Sequence, residues 1–134
     1  MKAIYIGYFA LFVFAAANIQ YYTIPYEDMN AVVANITTLR SYVDCILDRT
    51  PPSQCSELVQ LYKRITLECI QQACARCSPS QKNRYWRFLD GMRRLLPEEY
   101  ANYRRYYDPD NRYFDALMNE LSKYRNFVDT DSSS

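Results

Sequence analysis

Cys45, Cys55, Cys74 and Cys77 are spaced Cys-x9-Cys-x18-Cys-x2-Cys within a chain that otherwise reads as amphipathic helix. Four half-cystines at such intervals in a small chain point to covalent staples rather than a metal cage, provided that the compartment is oxidising. The amino terminus bears on that condition. Met1 to Ala17 carries a single charge, Lys2, then an apolar run from Ala3 to Ala16 that ends in Ala15-Ala16-Ala17. A segment this short, basic at its start and small at its end, has the pattern of a secretory signal peptide, with cleavage expected near Ala17–Asn18. An uncleaved anchor wants a longer run, and Asn18 and Gln20 stop this one early. Residues 1–17 are therefore expected as a leader, 18–128 as one helical domain and 129–134 as a disordered polar tail. A secreted, extracellular protein follows.

Charge excludes one class of partner. The formal net charge is +1, from 16 basic and 15 acidic side chains, and it falls to zero without Lys2. Nothing in that balance draws the chain to nucleic acid or to an anionic membrane. Arg84, Arg87, Arg93, Arg94, Arg104 and Arg105 cluster in sequence, but Glu98, Glu99, Asp108 and Asp110 lie among them. A solvated helical surface is the simpler reading. Gly91 is the one glycine beyond the leader, which argues against hairpin-rich β architecture, whose tight turns need positive φ angles.

The apolar rhythm is helical throughout. From Met29 it runs through Val32, Val33, Ile36, Leu39, Val43, Ile46 and Leu47 at three-and-four spacing, one helix face. Beyond Thr50-Pro51-Pro52-Ser53 a second stripe carries Leu58, Leu61, Tyr62, Ile65, Cys69 and Ala73. Ser78-Pro79 then supplies a cap and a first helical residue. A third run places Tyr85, Phe88, Leu89, Met92, Leu95 and Leu96 together. Pro97-Glu98-Glu99 opens a segment with Tyr100, Tyr103 and Tyr107, its acids at the positive helix end. Asp108-Pro109 restarts the chain before Tyr113, Leu117, Leu121 and Tyr124. Helices this short bury little alone and must fold over one another into a compact all-α bundle.

The chain has 14 tyrosines, whose rings are apolar but whose hydroxyls need partners when buried. They fit either an ordinary tyrosine-rich core or a partly hollow interior lined by rings. Catalysis finds little support. Histidine is absent, and with it the usual general base and the commonest metal ligand. There is no nucleophile elbow, phosphate loop or helical His-Glu pair. Asp44 and Asp48 stand four apart, as an exposed helix face explains. Cys74-x2-Cys77 closes a helix in a chain without strands, unlike a redox motif at a helix start beside a sheet. Zinc would need two further ligands from Cys45, Cys55 and Cys69 in a secreted chain. Neither an enzyme nor a metal or cofactor site is expected.

The residues bring one family into view. Cys55, Cys74 and Cys77 keep the x18 and x2 intervals of a Cys-x6-Cys-x18-Cys-x2-Cys signature. Tyr26-Glu27-Asp28-Met29-Asn30 is similar to the amino-terminal Tyr-Asp motif of that family, and Tyr42-Val43-Asp44-Cys45-Ile46-Leu47-Asp48 to the stretch around its first cysteine. Cys74-Ala75-Arg76-Cys77-Ser78 with Gln81-Lys82, then Leu96-Pro97-Glu98-Glu99-Tyr100 and Tyr107-Asp108-Pro109, follow its later motifs. From about Tyr21 to Leu117 the chain resembles the insect chemosensory, or OS-D-like, proteins. It departs in three places. Nine residues rather than six separate Cys45 from Cys55; Cys69 is an extra cysteine; Tyr100 stands where tryptophan is common, the lone Trp86 lying earlier.

The resemblance implies a secreted six-helix carrier with a hydrophobic channel for elongated apolar molecules, such as fatty-chain, pheromone-like or odorant-like compounds. A small hydrophobic ligand is the implied partner, with a membrane receptor as a candidate second one. By stripe and residue type, Val43, Ile46, Leu61, Tyr62, Ile65, Leu89 and Met92 are the expected lining, and Tyr26, Tyr85, Trp86 and Tyr100 the mouth. The competing reading is an interaction or developmental protein of the same fold that carries nothing. Among three possible pairings, spacing favours disulfides Cys45–Cys55 and Cys74–Cys77, the latter across one helical turn. Cys69 falls at the centre of its stripe, so a buried free thiol and a monomer are expected. Asn35-Ile36-Thr37 is a sequon, which makes Asn35 a candidate N-glycosylation site.

Overall fold

Caps and prolines divide the chain into its elements. Over residues 19–129, which the computed structural model of the protein describes, there are six α-helices, one 3-10 turn and no strand. The helices are α1 (Met29–Ala34), α2 (Ile36–Ile46), α3 (Glu57–Gln71), α4 (Pro79–Leu95), α5 (Pro97–Tyr107) and α6 (Phe114–Ser122). The expected leader and residues 130–134 of the expected tail lie outside the described residues. No helix among the described residues is long and apolar enough to cross a membrane.

Local chemistry explains the boundaries. Ser56 accepts from the Val59 amide to start α3. At α4, Ser78 and Gln81 form a reciprocal capping box, with Pro79 at the first position and Arg93 and Arg94 against the negative end. Pro97 similarly opens α5, with Glu98 and Glu99 in its first turn and Arg104 and Arg105 in its last. The carboxylate of Asp108 accepts from the amides of Arg112, Tyr113 and Phe114 at 2.8–2.9 Å. It therefore holds the turn that leads into α6 and satisfies the first amide of that helix, Phe114.

Two local expectations need correcting. The apolar run from Met29 to Leu47 is two helices, because the Asn35 side chain accepts from the amides of Thr37 and Thr38 while its own backbone is extended. An asparagine that caps in this way competes with helix continuation. Asn35 remains exposed, but at a helix start rather than on a helix flank. Cys74–Cys77 does not span a helical turn. Helix α3 ends at Gln71, and Ala73 and Cys74 take left-handed φ values of 50° and 59°. The bridge closes that turn, with Cα atoms 5.1 Å apart. Cys45–Cys55 ties the end of α2 to the loop before α3. Both are the neighbour pairings that the spacing favours.

Helix α4, the longest at 17 residues, packs on α1, α5 and α6, while α3 packs on α2 and α6. Leu39, Val43, Ile70, Leu89, Met92, Tyr103, Phe114, Leu117 and Leu121 have no exposed surface and form the centre. Polar ties surround it. The Tyr107 hydroxyl donates to the Ile46 carbonyl at 2.6 Å, Lys82 pairs with Glu120 at 2.7 Å, and Arg49 takes both carboxylate oxygens of Glu99. Among the described residues no buried side-chain nitrogen or oxygen lacks a partner.

The segment before α1 is extended and fastened across the turn between α3 and α4. The Tyr22 amide donates to the Arg76 carbonyl at 2.9 Å, and the Gln81 side chain donates to the Tyr22 carbonyl at 2.7 Å. The Arg76 guanidinium lies 4.6 Å from the centre of the Tyr22 ring. This strap brings Ile24 and Glu27 against the bundle.

Candidate functional site

A cavity lies where the helices diverge beneath the strap. Tyr62, Ile65, Thr66 and Cys69 of α3 line one wall, and Gln81, Arg84, Tyr85 and Phe88 of α4 the facing one. Ile24, Met29, Ile46, Cys77 and Tyr103 complete it. Its volume is about 70 Å³, room for roughly five waters at ~10–15 Å³ each. Apolar atoms dominate the wall, as suits a ligand held by removal from water.

The polar groups of the wall are already occupied within the protein. Tyr85 and Tyr103 share a hydrogen bond of 2.7 Å. The Tyr62 hydroxyl donates to Glu27 at 3.0 Å, a carboxylate that also accepts from Tyr42. Thr66 donates to the Tyr62 carbonyl at 2.6 Å. Burial is the leading reason that the hydroxyls of Tyr62, Tyr85 and Tyr103 are held well above the ordinary tyrosine pKa, so they remain protonated donors. Such a wall can bury and orient an apolar molecule. It contains no pairing of a nucleophile with a base.

Four of the expected lining and mouth residues meet at this cavity: Ile46, Tyr62, Ile65 and Tyr85. The others do not. Val43 of α2 and Leu89 and Met92 of α4 are fully buried in the packed core. Leu61 is half-buried outside the cavity, as is Trp86. Tyr100 packs edge-on against Phe114, 5.8 Å between centres. Tyr26 is not in the wall but lies 5.5 Å from the Arg84 guanidinium, which is.

Arg84 is the largest departure from the sequence reading. Its sequence neighbours suggest a solvated basic surface, yet it is 6% exposed and is the one charged residue of the wall. Its Nε pairs with Asp129 at 3.2 Å. A signal was present: Arg84 stands four residues before Phe88 and eight before Met92, on the apolar stripe of α4.

Cys69 also faces the cavity, its sulfur 3.9 Å from that of Cys77. With Cys74 it completes a group of three sulfurs within 4.8 Å of one another, two of them joined in the disulfide. Burial pushes the Cys69 thiol up to about 11. At neutral pH the reactive thiolate is therefore scarce. A thiol reagent should find about none accessible in the native protein and one after unfolding without reductant. Rapid labelling of native Cys69 would contradict its burial.

With this geometry in place, residues 22–115 match the insect pheromone-binding family A10/OS-D. The chain belongs to that family. The match spans both disulfides, the strap from Tyr22 and the first five helices, and it ends at the second residue of α6. Cys69 is thus the cysteine that this OS-D chain adds to the four of the family signature. Neither the curated proteins nor the solved structures offer a match to it.

Proposed function

We propose that this OS-D protein is a secreted carrier of elongated, apolar small molecules, held in the cavity between α3 and α4. The observation that supports this most is a cavity wall of rings and aliphatic groups whose hydroxyls are satisfied by one another or by Glu27, leaving burial as the driving force. Each methylene removed from water contributes about 0.8 kcal/mol. A dozen carbons therefore supply about 10 kcal/mol of gross burial, against the ~8 kcal/mol net of a micromolar complex.

Size sets a condition. A space for about five waters is shorter than a twelve-carbon chain, so long ligands require the walls to part. The strap is the lightest of these walls, because it is extended backbone held by a few polar contacts.

The test is displacement of a lipophilic naphthylamine probe by straight-chain alcohols of increasing length. Affinity is expected to rise about fourfold per methylene and then level off where the interior is full. Ile65→Trp, which fills the cavity, should weaken every member of the series while the helical circular dichroism is retained. An affinity that ignores chain length, or a full response from Ile65→Trp, would remove the carrier reading in favour of a purely structural or interaction role. Trp86 lies outside the wall, so its own fluorescence is an indirect reporter.

A further inference from the structure

We propose that Asn35 carries an N-linked glycan at the corner between α1 and α2, attached without loss of the helix cap that the same side chain forms. This goes beyond the carrier reading above: it rests on secretion and not on the cavity. Asn35-Ile36-Thr37 is the one sequon of the chain. In the linkage, the side-chain nitrogen Nδ2 displaces a lipid diphosphate from the anomeric carbon of a lipid-linked oligosaccharide. A carbon–nitrogen bond forms, the carbon–oxygen bond to phosphate breaks, and Nδ2 gives up one of its two protons. The side-chain oxygen Oδ1 remains a carbonyl acceptor.

The transferase meets the chain before it folds, so what the fold decides is whether the product fits. The structure gives the two atoms of the Asn35 amide separate tasks. Oδ1 accepts from the amides of Thr37 and Thr38 at 3.1 and 3.2 Å, which caps α2. Nδ2 is in neither bond and has no other partner among the described residues. Other asparagines use that atom inside the fold: Nδ2 of Asn83 donates to the Tyr124 carbonyl and Nδ2 of Asn102 to Glu99, both at 2.8 Å. Ala34, Asn35, Ile36 and Thr37 are all exposed, and the extended backbone of Asn35 turns the chain between two helices. A bulky, hydrated group placed there meets solvent. It also lies over Ile36, which is 47% exposed, and shields that apolar side chain. The cavity stands at the far end of α2. Ile46, which lines it, is the last residue of the helix that Asn35 caps, ~15 Å along the axis. The glycan therefore leaves the cavity open.

The test expresses the full chain in insect cells and treats protein from the medium and from the lysate with peptide-N-glycosidase A. Wild type from the medium is expected to run faster on a gel after treatment. Release in heavy-oxygen water should leave labelled aspartate at position 35, which separates enzymatic release from spontaneous deamidation. Two variants part the linkage from the cap. Thr37→Val ends the sequon and keeps Asn35 with both amides that it caps; Asn35→Asp keeps the capping oxygen and has no amide nitrogen. Both should run with the treated wild type, ignore the enzyme and retain the helical circular dichroism. The labelled aspartate needs no variant, so it decides the matter even where a variant fails to fold. Secreted wild type that does not respond to the enzyme would overturn the proposal and leave secretion intact. A response that persists in Thr37→Val would place the glycan elsewhere and overturn it as well. If the chain stays in the cytosol without a glycan, secretion and this inference fall together.

Discussion

Tyr103→Ala is expected to destabilise the protein by about 3–5 kcal/mol, the range for removing a large buried ring. Tyr103 has no exposed surface and sits where α4, α5 and α6 meet. Its ring lies edge-on to Phe88 and Phe114, with centres 6.3 and 6.1 Å away, and tilted against Tyr107 at 5.2 Å. Alanine would take one ring contact from each of the three and leave the Tyr85 hydroxyl unbonded. Tyr103→Phe isolates the second effect. It keeps the ring and deletes only the 2.7 Å bond to Tyr85, so a loss of about 1–2 kcal/mol is expected. Urea unfolding of the two variants gives the comparison. If they were equally destabilised, the ring contacts would count for nothing and the hydroxyl for everything.

The second large effect involves a glycine. Gly91 lies in the middle of α4, where alanine is ordinarily the better helix former by about 1 kcal/mol. Here a Cβ would stand 2.7 Å from Val33 Cγ1 and 3.0 Å from Val33 Cβ, where α1 crosses α4. The obstructing atoms belong to a short β-branched side chain, which has no flexible end to swing away. Gly91→Ala is therefore expected to lower stability by about 1–3 kcal/mol, as overpacked cores do. Val33→Ala removes the 2.7 Å contact but keeps the Cβ at 3.0 Å, so in that background the penalty of Gly91→Ala should shrink. A double-mutant cycle measures this directly. The clash account fails if Gly91→Ala has the same effect with and without Val33.

The helices and their order were legible because each has a start signal and an apolar stripe that agree, as Ser78-Pro79 and the stripe through Phe88 and Met92 do. The break at Asn35 was not legible, since Val32, Val33, Ile36 and Leu39 keep the helical rhythm across it. Only the side-chain bonds to Thr37 and Thr38 interrupt the backbone. The cavity was legible only in part, for a related reason. An apolar stripe is wide enough to face both packed core and open space. Ile46, Tyr62, Ile65 and Tyr85 sit where helices diverge, whereas Val43, Leu89 and Met92 sit where they touch. Residue type does not separate these cases; the crossing of helices distant in sequence does. Arg84 escapes the sequence reading because acidic side chains lie among the arginines of its cluster and suggest a solvated surface, although its helical position sets it apart.

The covalent pattern has a consequence for biosynthesis. Each bridge joins cysteines that are neighbours among those paired, separated by 10 and 3 positions. Each ring can therefore close as soon as its own few residues have emerged during synthesis, before the remote helices exist. The order of oxidation and collapse is then immaterial, because no helix must be threaded through a ring or brought from afar to complete one. Cys69 is the exception, since it precedes Cys74 and Cys77 by only a few residues and can compete for either. Burying that sulfur in the finished bundle is how the chain makes its choice of partner permanent.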